Sequence, residues 1–72
     1  MIIMNLSFYD FTLLPDAQQY ELIFTEGEFI NFREVGGGST FVLYNLYGFF
    51  VELQYNIGHN KVVNKVAFQK AI

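Results

Sequence analysis

Three clusters of turn-forming residues divide the chain after Gly27, and they restrict the fold more than any other feature: Gly36-Gly37-Gly38, the stretch 45–48 and the stretch 56–60. Between these clusters apolar residues recur at about every second position, the period of a strand. Before Gly27 they recur at spacings of three and four, the period of a helix. The pattern predicts a helical part over about 7–27 and four strands over 28–34, 40–45, 49–55 and 61–68, joined by three hairpins. The expected fold class is α+β: a short helical turn plus one helix, packed on one face of a four-stranded antiparallel meander, as a single domain over residues 1–72.

Local chemistry fills in the helical part. Ser7 can cap a backbone N–H three residues on, with Asp10 placed to reach back as in a capping box, and Phe8 and Phe11 share one face. That turn should end near Leu13, because a residue preceding proline is pushed out of the helical region. Pro15 suits the first position of a second helix, Asp16 complements the positive end of its dipole, and Gly27 suits a left-handed cap at its end. Ala17, Tyr20, Ile23 and Phe24 then form an apolar stripe that must cover something.

Strand register decides which side chains share a face, since a slip of one residue exchanges the two faces. Pairing Leu53 with Val62, Val42 with Val51, and Phe32 with Val42 gives one overwhelmingly apolar face. It holds Ile30, Phe32, Val42, Tyr44, Phe49, Val51, Leu53, Tyr55, Val62, Val66 and Phe68, with Glu34, Thr40 and Asn64 as its polar members. The helix stripe is expected there. The opposite face should be polar in a one-sided sheet, yet it is assigned Phe29, Phe41, Leu43, Phe50 and Val63 among Asn31, Arg33, Asn45, Glu52, Gln54, Lys65 and Ala67. Something is expected to cover it as well.

Size explains why that second apolar face matters. A chain of 72 residues buries only about 60% of the surface its unfolded form exposes. Without cysteine it has neither a disulfide staple nor a thiolate metal site. What remains is bulk and self-association: nine Phe and five Tyr make the chain 19% aromatic. Net charge is −3, with −5 over residues 1–34, where six acids stand against Arg33, and +2 over 35–72, where Lys61, Lys65 and Lys70 stand against Glu52. An acidic balance disfavours nucleic acid, whose affinity comes largely from Lys and Arg neutralising phosphates. The apolar opening has no basic residue before it and no small-residue cleavage pattern after it, so it does not read as a signal peptide. The longest uncharged run, 35–51, is interrupted by three glycines and falls short of a membrane span. The expectation is a cytoplasmic protein that does not enter the membrane.

Candidates for chemistry are few. His59 is the lone histidine, in a turn between Gly58 and Asn60, with no second group to complete a general acid–base or nucleophilic pair and no partner ligands for zinc. Glu26 and Glu28 flank Gly27 and should diverge at the helix-to-strand junction. Gly36-Gly37-Gly38-Ser39-Thr40 has the composition of a phosphate loop, but it joins two strands and contains no lysine. No catalytic residue, metal or cofactor is therefore assigned. Arg33, Phe41 and Glu52 fall in one predicted row, and arginine beside aromatic rings is what interface hot spots are enriched in. The candidate interface is Phe29, Arg33, Phe41, Leu43, Phe50, Glu52 and Val63. An alternative site for a small molecule, the less favoured class of ligand, is a pocket between helix and sheet lined by Tyr20, Tyr44, Tyr55 and Asn64.

The run Tyr44-Asn45-Leu46-Tyr47-Gly48-Phe49-Phe50-Val51-Glu52-Leu53-Gln54-Tyr55-Asn56, followed by Asn60-Lys61-Val62-Val63-Asn64-Lys65-Val66-Ala67-Phe68, resembles a family of small uncharacterised bacterial α+β proteins. Leu14-Pro15 and Gly27-Glu28-Phe29-Ile30 are similar to the same group, so the resemblance covers most of the chain. It implies a fold and a bacterial setting, and it carries no activity or catalytic residue.

These readings converge on a non-enzymatic binding or assembly module whose outer sheet face forms a homodimer or docks a partner protein. Two alternatives accompany it. Residues 1–6 could fold back across that face and leave a monomer, or the acidic first half could neutralise a basic protein in the manner of an immunity protein.

Overall fold

The computed structural model describes residues 6–69. Two helices, α1 (Phe8–Thr12) and α2 (Asp16–Glu26), precede four strands, β1 (Glu28–Glu34), β2 (Ser39–Leu46), β3 (Phe49–Asn56) and β4 (Lys61–Phe68). The strands form one antiparallel sheet in the order β1-β2-β3-β4. The expected α+β meander is what the chain adopts, with β2 extending one residue beyond its expected bounds at each end and β3 one residue at its end.

Each boundary has a local cause. The Ser7 hydroxyl accepts from the Asp10 N–H at 3.1 Å and starts α1. Pro15 stands as the N-cap of α2, one position before the expected one, with an extended ψ of 152° that turns the chain into the helix. At the other end, Gly27 has φ −71° and ψ 142°, so it is extended and not left-handed. Its requirement for glycine is steric: a Cβ there would stand 2.4 Å from the Ile23 carbonyl oxygen, which accepts the Gly27 N–H at 3.0 Å. The β2–β3 hairpin closes on Tyr47-Gly48, both at positive φ, the mirror-image turn whose twist matches the flanking strands. The Asn45 side chain reinforces it by accepting the Gly48 N–H.

Register departs from expectation in two ways. Phe32 does lie opposite Val42, but Val42 lies opposite Leu53 and Tyr44 opposite Val51, a displacement of two residues that keeps the parity of β2 and β3. The second departure reverses parity. Ile30 is an extra residue in β1 and Val63 an extra residue in β4, so each edge strand contains a β-bulge. Before its bulge β1 turns Phe29 to the side of Tyr44. After its bulge β4 turns Lys65 and Ala67 to the side of Leu53 and Val51, and Asn64, Val66 and Phe68 to the side of Gln54, Glu52 and Phe50. The assignments of Phe29, Lys65 and Ala67 to the outer face, and of Asn64, Val66 and Phe68 to the inner one, are thereby reversed.

The core lies between the helices and the middle of the sheet. Phe11, Ile23, Leu46, Phe49, Val51 and Leu53 are buried, and the Phe11 and Phe8 rings meet Phe49 at 5.2 and 5.7 Å between centroids. Of the expected α2 stripe, Ile23 is buried and Tyr20 half-buried, whereas Ala17 and Phe24 are exposed. Buried Gln19 takes the place of Ala17 on the core side: its Nε2 donates to the Phe11 carbonyl at 2.7 Å, and its Oε1 accepts from Lys65 Nζ. Lys65 also donates to Asp16 Oδ1 at 2.9 Å and lies 4.8 Å from the Tyr20 ring centroid. Residues 1–5, and with them the expectation that the N-terminal segment crosses the outer face, lie outside the described residues.

Two substitutions probe these constraints. Gly27→Ala should lower stability by about 1–3 kcal/mol in urea unfolding, since the added Cβ must displace backbone at a well-packed junction. Gln19→Ala should lower it by a similar 1–3 kcal/mol or so, because it strands the Phe11 carbonyl and one Lys65 hydrogen bond in a buried setting; an unchanged midpoint would remove Gln19 from the core's requirements.

Candidate functional site

The two sides of the sheet can be set out row by row. On the outer side, one row runs Arg33, Phe41, Gln54, Asn64; the next runs Asn31, Leu43, Glu52, Val66; the third runs Glu28, Asn45, Phe50, Phe68. Among the described residues, no helix covers these rows. Of the candidate interface residues, Arg33, Phe41, Leu43, Phe50 and Glu52 come together here. Phe29 is on the other side, and Val63 occupies the β4 bulge. Val66 and Phe68, which alternation alone assigns inward, complete the apolar band, and the Phe50 and Phe68 rings stack at 5.6 Å.

The centre of this face carries a charge pair laid across an aromatic ring. The Arg33 guanidinium stands 4.6 Å from the Phe41 centroid, and its Nη2 lies 3.5 Å from Glu52 Oε2. Glu52 is in the row after Phe41, opposite Leu43, so the arginine reaches diagonally and not along one row as expected. The Arg33 side chain is exposed, and such a pair adds at most about 1 kcal/mol to the fold. Its value lies in presenting both signs of charge side by side on an apolar background.

On the helix side, rows run Phe29, Tyr44, Val51, Ala67, then Phe32, Val42, Leu53, Lys65, then Glu34, Thr40, Tyr55, Val62. Gly27 at the end of α2 comes against the Tyr44 ring, while Asp16 at its start meets Lys65, so α2 runs from β4 toward β2 and stops short of β1. Consequently Phe24, Phe29 and Phe32 remain 54%, 56% and 59% exposed on the same side. Tyr20 stacks on Phe24 at 6.3 Å, and Phe29 meets Tyr44 edge-on at 6.4 Å. Together they make an aromatic strip between α2 and β1.

Tyr20, Tyr44 and Tyr55 of the alternative pocket do converge on the helix side. Asn64 does not, since the β4 bulge turns it to the outer row beside Gln54. The Tyr55 hydroxyl is pushed above its ordinary value of 10.0, first by burial, then by Tyr44 and by Tyr20. Tyr47 is raised by partial burial and then by the Glu26 carboxylate, while Glu28 stands opposite Asn45 on the outer side. The two glutamates flanking Gly27 therefore serve different surroundings. His59 is exposed in the β3–β4 turn, where its backbone N–H donates to Asn56 Oδ1. Among the described residues, no three histidine or carboxylate side chains are grouped to hold a metal, and no helix is long and apolar enough to cross a membrane.

Sequence reasoning missed Gln19, Lys65, Val66 and Phe68. The signal for the last three was present as an apolar doublet, Val62-Val63, at which strict alternation fails.

No protein-family model, curated protein or solved structure matches the chain.

The tyrosine cluster gives a pH dependence with a definite sign. Folding favours the neutral Tyr55 phenol, so the folded chain holds this proton to higher pH than the unfolded chain. The corresponding stability is present below the unfolded value of 10.0 and declines as pH rises from there through the folded value. Urea midpoints measured across that alkaline range should fall with pH, and less steeply for Tyr55→Phe; equal slopes would contradict the assignment.

Proposed function

We propose that this protein is a non-enzymatic assembly module that forms a homodimer, or docks a partner protein, through the outer face of its sheet. The observation that carries this reading is the outer band of half-buried Phe41, Leu43 and Phe50 and exposed Val66 and Phe68, which no helix among the described residues covers and at whose centre Arg33 lies over Phe41 beside Glu52. Contiguous apolar surface rimmed by polar groups marks an interaction site. A small core gains proportionately most from covering it.

Self-association is favoured over a foreign partner by the charge arrangement. A two-fold axis passing between Arg33 and Glu52 would bring Arg33 of one copy toward Glu52 of the other, so opposite charges would meet and neither would be stranded. Association through the sheet edges is disfavoured. Both edge strands contain a bulge, which twists the free backbone groups out of register with any added strand. Glu28, Arg33, Glu34 and Lys61 add charge to those edges.

Sedimentation equilibrium tests the reading directly. The full chain should sediment as a dimer, and a Phe50→Ser, Phe68→Ser double variant should sediment as a monomer with an unchanged far-ultraviolet spectrum, because both residues lie on the outer side away from the core. A monomeric parent chain, or a variant that keeps the parent's dimeric mass, would overturn homodimerisation through this face.

A further inference from the structure

The helix-side strip differs from the outer face in charge, and that difference selects a different occupant. We infer that the aromatic strip between α2 and β1 docks a basic segment of a partner protein, one that carries lysine or arginine beside apolar anchors.

The apolar part of the site is Phe24 from α2 and Phe29 and Phe32 from β1, each more than half exposed, with Tyr20 and Tyr44 beside them. Around them the fixed charges are carboxylates. Glu34 follows Phe32 on the same side of β1, and Glu21 lies one helical turn before Phe24, while Glu26 is turned to Tyr47. Among the described residues, two cations stand near the strip and both are already paired. Arg33 is turned to the outer face against Phe41 and Glu52, and Lys65, 12% exposed, is held under α2 by Gln19 and Asp16. The strip is thus an apolar surface with acidic margins.

That combination excludes several occupants in turn. A second copy related by a two-fold axis would bring the acidic margins carrying Glu21 and Glu34 toward one another, with no arginine on this side to pair them. Phosphate-bearing ligands and anionic lipid surfaces meet the same repulsion. A cationic side chain gains on both counts: it is attracted by the carboxylates, and it can lie over a ring face within about 6 Å. The molecule already makes this contact within itself, where the Lys65 ammonium lies 4.8 Å from the Tyr20 centroid. Apolar anchors between the cations would cover Phe29 and Phe32.

The test uses the full chain, labelled with ¹⁵N, and two synthetic peptides of equal length, one alternating leucine with lysine and the other leucine with glutamate. The leucine–lysine peptide should shift amide resonances of Phe24, Phe29, Phe32 and Tyr44, and the leucine–glutamate peptide should not. Affinity for the first peptide should fall about tenfold in Phe29→Ser, Phe32→Ser. A comparable loss is expected in Glu21→Lys, Glu34→Lys, together with weakening as ionic strength rises. All four side chains are exposed, so both variants should keep the parent's unfolding midpoint. Equal binding of the two peptides, shifts on the outer face in place of the strip, or undiminished affinity in the phenylalanine variant would overturn the inference. So would concentration-dependent shifts of the strip in the chain alone, since those would make a second copy the occupant.

Discussion

One buried amide sets the relation between the helices and the sheet. Gln19 joins the Phe11 carbonyl of α1 to Lys65 of β4, and Lys65 in turn reaches Asp16 at the start of α2. Leaving such a group unpaired in the interior costs on the order of 1–3 kcal/mol, a large share of the stability available to a chain of this size. The bond set forms only if β4 presents Lys65 inward, which requires the bulge at Val63. It also requires α1 and α2 to meet at one angle, with the Phe11 ring on Phe49 and Ile23 in the core. The same reversal that brings Lys65 inward brings Ala67 with it, two positions on, and a side chain that small leaves room for α1 to lie against β4.

Because α2 is anchored at β4, it cannot also cover β1. Its eleven residues give a length of about 16 Å at 1.5 Å per residue. Four strands spaced about 4.8 Å apart span a comparable distance before the helix's oblique path is counted. The helix is spent between Lys65 and Tyr44. The β1 side chains therefore project beyond the helical layer on one side and form the margin of the outer face on the other. The exposed helix-side strip descends from this anchoring.

Most of this architecture was legible in the sequence, and the part that was not has one physical origin. Turn residues and periodicity located all six elements, and the correct parity of β2 and β3 followed from apolar alternation, because a strand flanked on both sides has little freedom to deviate. The edge strands deviate. A bulge inserts one residue without changing composition, so reading Val62 through Phe68 as uninterrupted alternation exchanged the two faces beyond Val63 and moved Lys65, Val66, Ala67 and Phe68 to the wrong sides. The same insertion at Ile30 moved Phe29. Both bulges fall where two apolar residues are adjacent, Phe29-Ile30 and Val62-Val63, yet Phe49-Phe50 is also a doublet and is regular. The doublet is a necessary hint and an insufficient one. Gln19 was missed for a different reason: a polar residue is invisible to an apolar stripe, although Ile23 four residues later marks the face it occupies.

The strand β1 links the two surfaces. Arg33 and Glu34 are adjacent in sequence and, by the pleat, point to opposite sides: the arginine to a ring and a carboxylate on the outer face, the glutamate to the aromatic strip. Had the order been exchanged, Glu52 would meet a second carboxylate beside Phe41 with no arginine to pair it, and the strip would gain an arginine. The first change would set like charges across a two-fold axis, and the second would repel a basic segment. One dipeptide therefore distributes charge so that the outer face carries both signs and the strip margin carboxylates. Such a division would let the two proposed associations proceed on opposite sides of one sheet without competing for the same contacts.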